Sequence, residues 1–426
     1  MNETRVVVTG MGVVSPNGVG LKNFKEAIKN GTSGIRYYEE LERLNFRCQI
    51  GGEPDISDEL MQNTFTDLEL KRLTAPGVIY GIIAGMEAWD DAGLSVSVEN
   101  EQEPIWEAGT IFGTGMCAME TAREAFYKTD DFKVKRLGTT IVEQTMPSGI
   151  SAFLGGRFGL GNQVSSNASA CSTGSESIIM CYERIKAGKA KIMLAGGCDG
   201  GGPYVWGGFD AMRVLCYKYN DSPETASRPL SASAAGFVPG SGGGALVLES
   251  LESALERGAH IYGEILGGHT NSGGQRGSGT MTAPNAQGTQ RCIKEAIASA
   301  GIEATDIDLI SGHLTSTMGD VLEINNWSKA MGLSGEDFPM INSLKSMTGH
   351  CLSGAGAIES IASFIQLEDG FIHPSLNMCE LHPDIAKNIS EKCVPQETQQ
   401  KELNIIAKSS FGFGDVNSCL IFKKYQ

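Results

Sequence analysis

Residues 163–185, QVSSNASACSTGSESIIMCYERI, and residues 339–365, PMINSLKSMTGHCLSGAGAIESIASFI, carry the reading of the fold. Each runs from a short strand through a polar turn into a helix whose first turns are dominated by Ser, Gly and Ala. Side chains that small let backbones approach closely, so the pattern predicts two buried helices lying side by side. A repeated strand–turn–helix unit in turn predicts two related halves facing one another across a pseudo-twofold. The division falls after the charged helix LESALERG, giving residues 1–258 and 259–426.

The rest of the chain fits that scheme. RVVVTG opens as a strand, and MGVVSPNG follows as a turn marked by Gly and Pro. The run superficially suggests a dinucleotide fingerprint, but Ser15 stands where a third glycine belongs and no helix follows promptly. LKNFKEAIKNG reads as a helix stopped by Gly31, and residues 70–93 have helical periodicity. GTIFGTGMC, KIMLAGGCDGG, GGALVLES, IYGEILGG and IDLISGH read as strands, and TQRCIKEAIASAG as a helix. Alternation of this kind is α/β layering.

Composition narrows the function. The 426 residues carry a net charge of −16, which repels phosphate backbones and makes nucleic acid an unsuitable partner. An acidic protein partner would need a local basic patch, for which Lys71 with Arg72 and Arg213 with Lys218 are the best candidates. Eleven cysteines and six histidines are scattered without metal-ligand or disulfide spacing. Nothing resembles a signal peptide or a membrane span, so the expected location is the cytoplasm.

Four stretches could carry chemistry. Cys171 precedes an apolar helical run; it is either a buried structural thiol or a nucleophile whose thiolate a helix N-terminus favours. The N–H groups of such a helix start can also stabilise an oxyanion on a bound acyl carbonyl. His313 leaves the apolar strand IDLI at its end, followed by Thr315 and Thr317 on one face, with Asp320 and Glu323 one helical turn apart. Those two carboxylates are expected to cap and solvate a helix start. The segment 342–360 joins Lys345, His350 and Glu359; Lys345 and Glu359 are natural counter-ions. His350 would open a helix whose positive end keeps the imidazole neutral, fit to hydrogen-bond a developing enolate. In KSSFGFGDVNSCLIF, Phe411 and Phe413 alternate with glycines, the pattern of a mobile loop carrying aromatic stoppers or of core residues entering a strand.

VVVTGMGVVSPNG, NGTSGI, SACSTG, ASRPL, SLKSMTGH, SFGFGDVN and SCLIFKK follow one another over essentially the whole chain. In that order they resemble the β-ketoacyl-acyl carrier protein synthases of the elongating type II class, in the thiolase-like superfamily. The resemblance implies a thiolase-like fold with α-β-α-β-α layers. It implies a decarboxylative Claisen condensation that extends an acyl chain by two carbons from malonyl-acyl carrier protein. Cys171 would hold the acyl chain, with the backbone N–H groups of Cys171 and Phe413 as the oxyanion hole. His313 and His350 would assist decarboxylation, Lys345 would organise them and Glu359 would support Lys345. Thr315 and Thr317 would bind the pantetheine arm, and Phe411 and Phe413 would form a gate. Met116 and Phe209 would line the acyl pocket, narrowed by Trp206. No metal or organic cofactor is implied; the partners are acyl- and malonyl-loaded carrier protein and a second copy of the chain.

The chain departs from that pattern at three places. Leu314 follows the first histidine where glycine is usual, Asp415 replaces the second glycine of the gate, and residues 228–244 lack the charges usual there. These put substrate choice and carrier recognition in question. A degradative thiolase would need a second catalytic cysteine in a Cys-Gly loop, and neither Cys351 nor Cys419 has that context. A starter-type enzyme would use Cys-His-Asn, where His350 supplies a second histidine. A condensing enzyme or chain-length partner subunit of a specialised lipid, polyene or polyketide pathway is the alternative reading.

Overall fold

The computed structural model describes residues 4–94, 103–274, 281–282 and 284–426. Ten strands build the path of its main sheet. In the first half they are β1 (Val6–Ser15), β2 (Ala108–Thr114), β3 (Val164–Ser165), β4 (Ile192–Asp199) and β5 (Gly242–Ser250). In the second they are β6 (Gly263–Ser272), β7 (Leu309–Ser311), β8 (Met340–Asn342), β9 (Ile405–Gly412) and β10 (Val416–Lys423). Across the sheet the order is β8-β7-β9-β10-β6-β1-β5-β4-β2-β3. Read outward from the centre, one side runs 1-5-4-2-3 and the other 6-10-9-7-8, the same order displaced by five. Directions repeat as well: β2 is parallel to β3 and β4, β7 to β8 and β9, and the remaining pairs are antiparallel. The two sides join where Val6–Val8 of β1 pair with Gly263–Ile265 of β6.

Six helices set the layers: α1 (Pro76–Asp91), α2 (Gly149–Phe158), α3 (Thr173–Lys186), α4 (Ala286–Ala300), α5 (Gly319–Met331) and α6 (Ala355–Asp369). Helices α3 and α6 touch each other and strands of both sides, so they form the middle layer. Helices α1 and α2 cover the outer face of the first side, and α4 with α5 that of the second. The fold has the two related halves that the repeat predicts, in the layered, thiolase-like α/β arrangement that the resemblance implies.

Small residues make the middle layer possible. A β-carbon on Gly356 would lie 2.5 Å from the Ser175 nitrogen, and one on Gly174 would lie 2.7 Å from the Ala357 nitrogen. Residues Ala355 through Leu367 of α6 are all buried, so this helix has no solvent face. Its serines are kept from being unpaired polar groups by bonding back along the helix. Ser360 Oγ donates to the Gly356 carbonyl at 2.7 Å, and Ser363 Oγ to that of Glu359 at 2.8 Å.

Two expectations change. MGVV is strand: β1 runs unbroken to Ser15, and its glycines are required by contact with α1. A β-carbon at Gly10 or Gly12 would sit 2.3 or 2.1 Å from the carbonyls of Ala88 or Ala84. The helical span from Leu70 is two helices, because Pro76 occupies the first turn of α1 and holds Ala75 extended.

Candidate active site

Cys171 lies just before the Ser172 cap of α3, on a sharp bend. Ala170 has φ +49°, a left-handed conformation that costs a residue with a β-carbon about 1 kcal/mol. Thr173 pins the bend: its hydroxyl donates to the Ala170 carbonyl at 2.7 Å and accepts from the Ser169 N–H at 2.8 Å. The thiol sulfur and one ring nitrogen each of His313 and His350 all lie within 4.8 Å of one another. Three stretches distant in sequence thus deliver one cluster. That spacing would also admit a metal ion, a grouping invisible in the linear spacing of cysteines and histidines.

Each histidine is held by backbone geometry. His313 follows β7, and the N–H groups of His313 and Leu314 both donate to the Glu323 carboxylate at 2.8 Å. Asp320 accepts from the N–H groups of Thr315 (2.8 Å), Ser316 (3.1 Å) and Leu230 (2.9 Å). Both carboxylates are buried inside the protein, where a solvated helix cap was expected. Burial pushes Glu323 up and Asp320 up to about 7. His350 Nδ1 accepts the Leu352 N–H at 3.1 Å, so the neutral ring carries its proton on Nε2, which is buried without a protein partner. Both imidazoles are held well below the ordinary histidine pKa, first by burial and then by Lys345 and further buried charge. His350 precedes α6 by several residues, so burial rather than a helix end keeps it neutral.

Cys171 also departs from expectation. Burial pushes its thiol up to about 11, against the opposing pull of Lys345 and of the Phe413 N–H. The resting residue is a thiol; the backbone N–H groups of Phe413 and of Cys171 itself are the donors that face the sulfur.

Lys345 pairs with Glu359 of α6, as their chemistry predicts, and both are buried. A second lysine escaped the sequence reading. Lys408 of β9 is fully buried, with its ammonium 2.8 Å from the other Glu359 oxygen and 3.0 Å from Ser410 Oγ. Its one signal was a lysine inside the apolar strand NIIAKSS. Asp199 at the end of β4 was missed too; it accepts from Thr114 Oγ1, Gly115 N, Met116 N and Ser353 N at 2.6–3.0 Å, tying β2 to the approach to α6.

A cavity of about 470 Å³ contains the cluster and is walled by Thr315, Thr317, Phe209, Phe411 and Phe413. The Thr315 and Thr317 hydroxyls lie 3.0 Å apart. Met116 packs against the Phe209 and Trp206 cluster behind that wall. The four basic candidates are exposed but form two groups. Arg213 lines an adjoining cavity that shares Val214, Thr317 and Met318 with the first, whereas Lys71 and Arg72 line a separate one with Lys128.

Residues 3–254 match the family model of the beta-ketoacyl synthase N-terminal domain, and residues 262–379 that of its C-terminal domain. The chain belongs to the beta-ketoacyl synthase family. It is 36% identical over 431 residues to 3-oxoacyl-(acyl-carrier-protein) synthase 1 of Escherichia coli strain K12, covering 99% of each chain. A beta-ketoacyl synthase from Burkholderia phymatum superposes with a TM-score of 0.89 at 28% identity, covering 99% of this chain and 100% of that one. A ketosynthase structure described as bound to a hexaketide, in complex with its type II PKS acyl-carrier protein, superposes with a TM-score of 0.87 at 28% identity over both full chains.

Two departures from the family pattern have local explanations. Leu314 points into the core beside Leu230 and Ile324 and does not line the cavity. Asp415 adopts a left-handed backbone, at φ +60°, that glycine takes readily, and its carboxylate accepts the Asn285 N–H at 3.1 Å while Gly414 N donates to the Met281 carbonyl at 2.8 Å. The loop carrying Phe411 and Phe413 is therefore bonded to the segment just before α4. No helix among the described residues is long and apolar enough to cross a membrane.

Proposed function

We propose that this beta-ketoacyl synthase condenses an acyl group held on Cys171 with malonyl-acyl carrier protein. The observation that carries the reading is the convergence of the Cys171, His313 and His350 reactive atoms within 4.8 Å inside a cavity beside two hydroxyls. Acyl transfer forms the Cys171 S–C bond and breaks that of the carrier thioester, the thiol proton leaving with the carrier's sulfur. The N–H groups of Cys171 and Phe413 would hold the oxyanion. Because the thiol is pushed up by burial, this step depends on donors that stabilise negative charge at the sulfur as it attacks.

Malonyl thioester then loses carbon dioxide, and its bonding electrons become an enolate. His350, with Nε2–H free to donate, and His313 would hydrogen-bond that oxygen. The carbanion attacks the acyl carbon, a C–C bond replaces the C–S bond to Cys171, and a β-ketoacyl thioester two carbons longer leaves. Lys345 and Glu359 would position the histidines; Thr315 and Thr317 would take the pantetheine amides. Phe411 and Phe413 would gate the cavity. Met116, Phe209 and Trp206 would bound the acyl end.

The carrier protein would approach over Arg213 and Lys218, since the Arg213 cavity adjoins the site; Lys71 and Arg72 lie on a different cavity. A second copy of the chain would cover the exposed aromatics Phe126, Tyr127 and Phe132, the last 97% exposed. We read residues 1–258 and 259–426 as the two halves, the first supplying the nucleophile and the second the histidines, lysine and gate. The E. coli relative supports fatty acid extension, and the hexaketide-bound neighbour supports a specialised pathway as the second reading. A cytoplasmic location goes with either.

The test is mass spectrometry of products from a panel of acyl carrier proteins with malonyl carrier protein. Two-carbon β-keto extension that Cys171→Ala abolishes is expected; extension persisting in that variant refutes the mechanism.

A further inference from the structure

Lys408 is a buried ammonium that the condensing mechanism leaves without a task. It sits in β9, and its charge reaches Glu359 Oε2 across the middle layer at 2.8 Å. Glu359 therefore bridges two ammoniums, Lys345 on one oxygen and Lys408 on the other. Desolvating a second lysine for one carboxylate is costly unless another negative charge shares the site. Glu323 of α5 meets that need. All its contacts are donors, the N–H groups of His313 and Leu314 and the Ser409 hydroxyl at 3.0 Å, which fits a carboxylate and not a carboxylic acid. With all four groups ionised, Lys345 and Lys408 balance Glu359 and Glu323.

The histidines stand between these charges. His313 is bonded through its own backbone to Glu323, and its ring lies 5.3 Å from that of His350. The other titratable groups facing them are Asp320 of α5, Cys171 before α3 and Asp199 of β4, whose carboxylate is tied up by four donors. Deleting Lys408 shifts the charge buried beside the two imidazoles by one unit toward negative, which favours their protonation. Protonation of His350 would put a second N–H against the Leu352 N–H that Nδ1 now accepts, so the imidazolium cannot keep the present ring position.

We propose that Lys408 is a positioning residue for decarboxylation: it offsets the buried Glu323 carboxylate and so keeps His313 and His350 neutral through the working pH range. Burial and the two lysines already act in that direction on both rings. Lys408 also reaches the nucleophile's helix, since Ser410 Oγ, which accepts from Lys408, lies 2.8 Å from Ser175 Oγ of α3.

The inference rests on the condensing reading, and one experiment separates the two. Carbon dioxide release from malonyl-loaded acyl carrier protein is followed from about pH 5 to pH 9 with the full-length protein, Lys408→Met, and Lys408→Met with Glu323→Gln. The expected result is an acidic limb displaced upward by about one pH unit in Lys408→Met. That means a loss growing to roughly tenfold toward the acidic end of the range but less than about twofold near pH 8, with the limb restored in the double variant. A loss equal at every pH, or no loss, overturns the inference while leaving the condensing reading intact. A wild type that releases no carbon dioxide at any pH overturns the condensing reading, and the inference with it. If Lys408→Met does not fold, the charge balance requires that the double variant does and that it keeps the wild-type limb. A double variant that also fails to fold makes Lys408 a framework residue and refutes the proposal.

Discussion

Gly356→Ala tests whether the contact between the two central helices sets the position of Cys171. A β-carbon there would lie 2.5 Å from both Ser175 N and Ser175 Oγ and 3.1 Å from Gly174 C. Carbon contacts become attractive only near 3.5 Å, so α3 and α6 must part by roughly 1 Å. Neither has room, because α6 is buried all round and α3 packs on both sides of the sheet. Overpacking of this kind costs about 1–3 kcal/mol, and rigid backbone neighbours put Gly356→Ala at the upper end. Helix α3 begins two residues after Cys171, so the same shift moves the thiol relative to the histidines; a misplacement of about 1 Å costs on the order of a hundredfold in rate. Gly156→Ala is the control: Gly156 is also helical, but nothing lies within 4 Å of its β-carbon position. Alanine there is expected to stabilise by about 0.5–1 kcal/mol through helix propensity. Urea unfolding at one fixed protein concentration, with condensation rates alongside, reads both. If Gly356→Ala is as stable and as fast as wild type, the close-packed account of the middle layer is wrong.

Two further outcomes follow from the site. With the thiol at about 11 instead of the ordinary 9.0, the thiolate fraction near pH 8 is about a hundredfold lower, so iodoacetamide should modify Cys171 about a hundredfold more slowly than an unperturbed thiol. The rate should climb roughly tenfold per pH unit to near pH 11, and a plateau below about pH 9 would show that the helix start outweighs burial. Asp415→Gly removes the acceptor of the Asn285 N–H, a charged hydrogen bond worth about 1.5–3 kcal/mol. Amide exchange of residues 411–415 should therefore quicken by at least about tenfold; unchanged exchange would mean this loop is held by its other contacts.

Much of this was legible in the sequence because it is local. Alternating strands and helices follow from periodicity, and small residues at two helix starts announce a close approach. Cys171, His313, Lys345 and His350 are recognisable by residue type at strand and helix ends. Asp320 and Glu323 were misread for the same reason: two acids one turn apart look like a solvated cap, and only the surrounding core makes them buried acceptors for backbone N–H groups. MGVV looked like a turn because its glycines permit one, while their actual role is to let α1 lie against β1.

The chain's order of residues by itself determined which groups exist and which elements carry them. Tertiary structure decided their charge states. Cys171 is a thiol, the histidines are neutral and Lys408 shares Glu359 because strands and helices far apart in sequence exclude water from one small volume. Desolvation and Coulomb interaction are sums over everything nearby in space, and no stretch of sequence contains that sum.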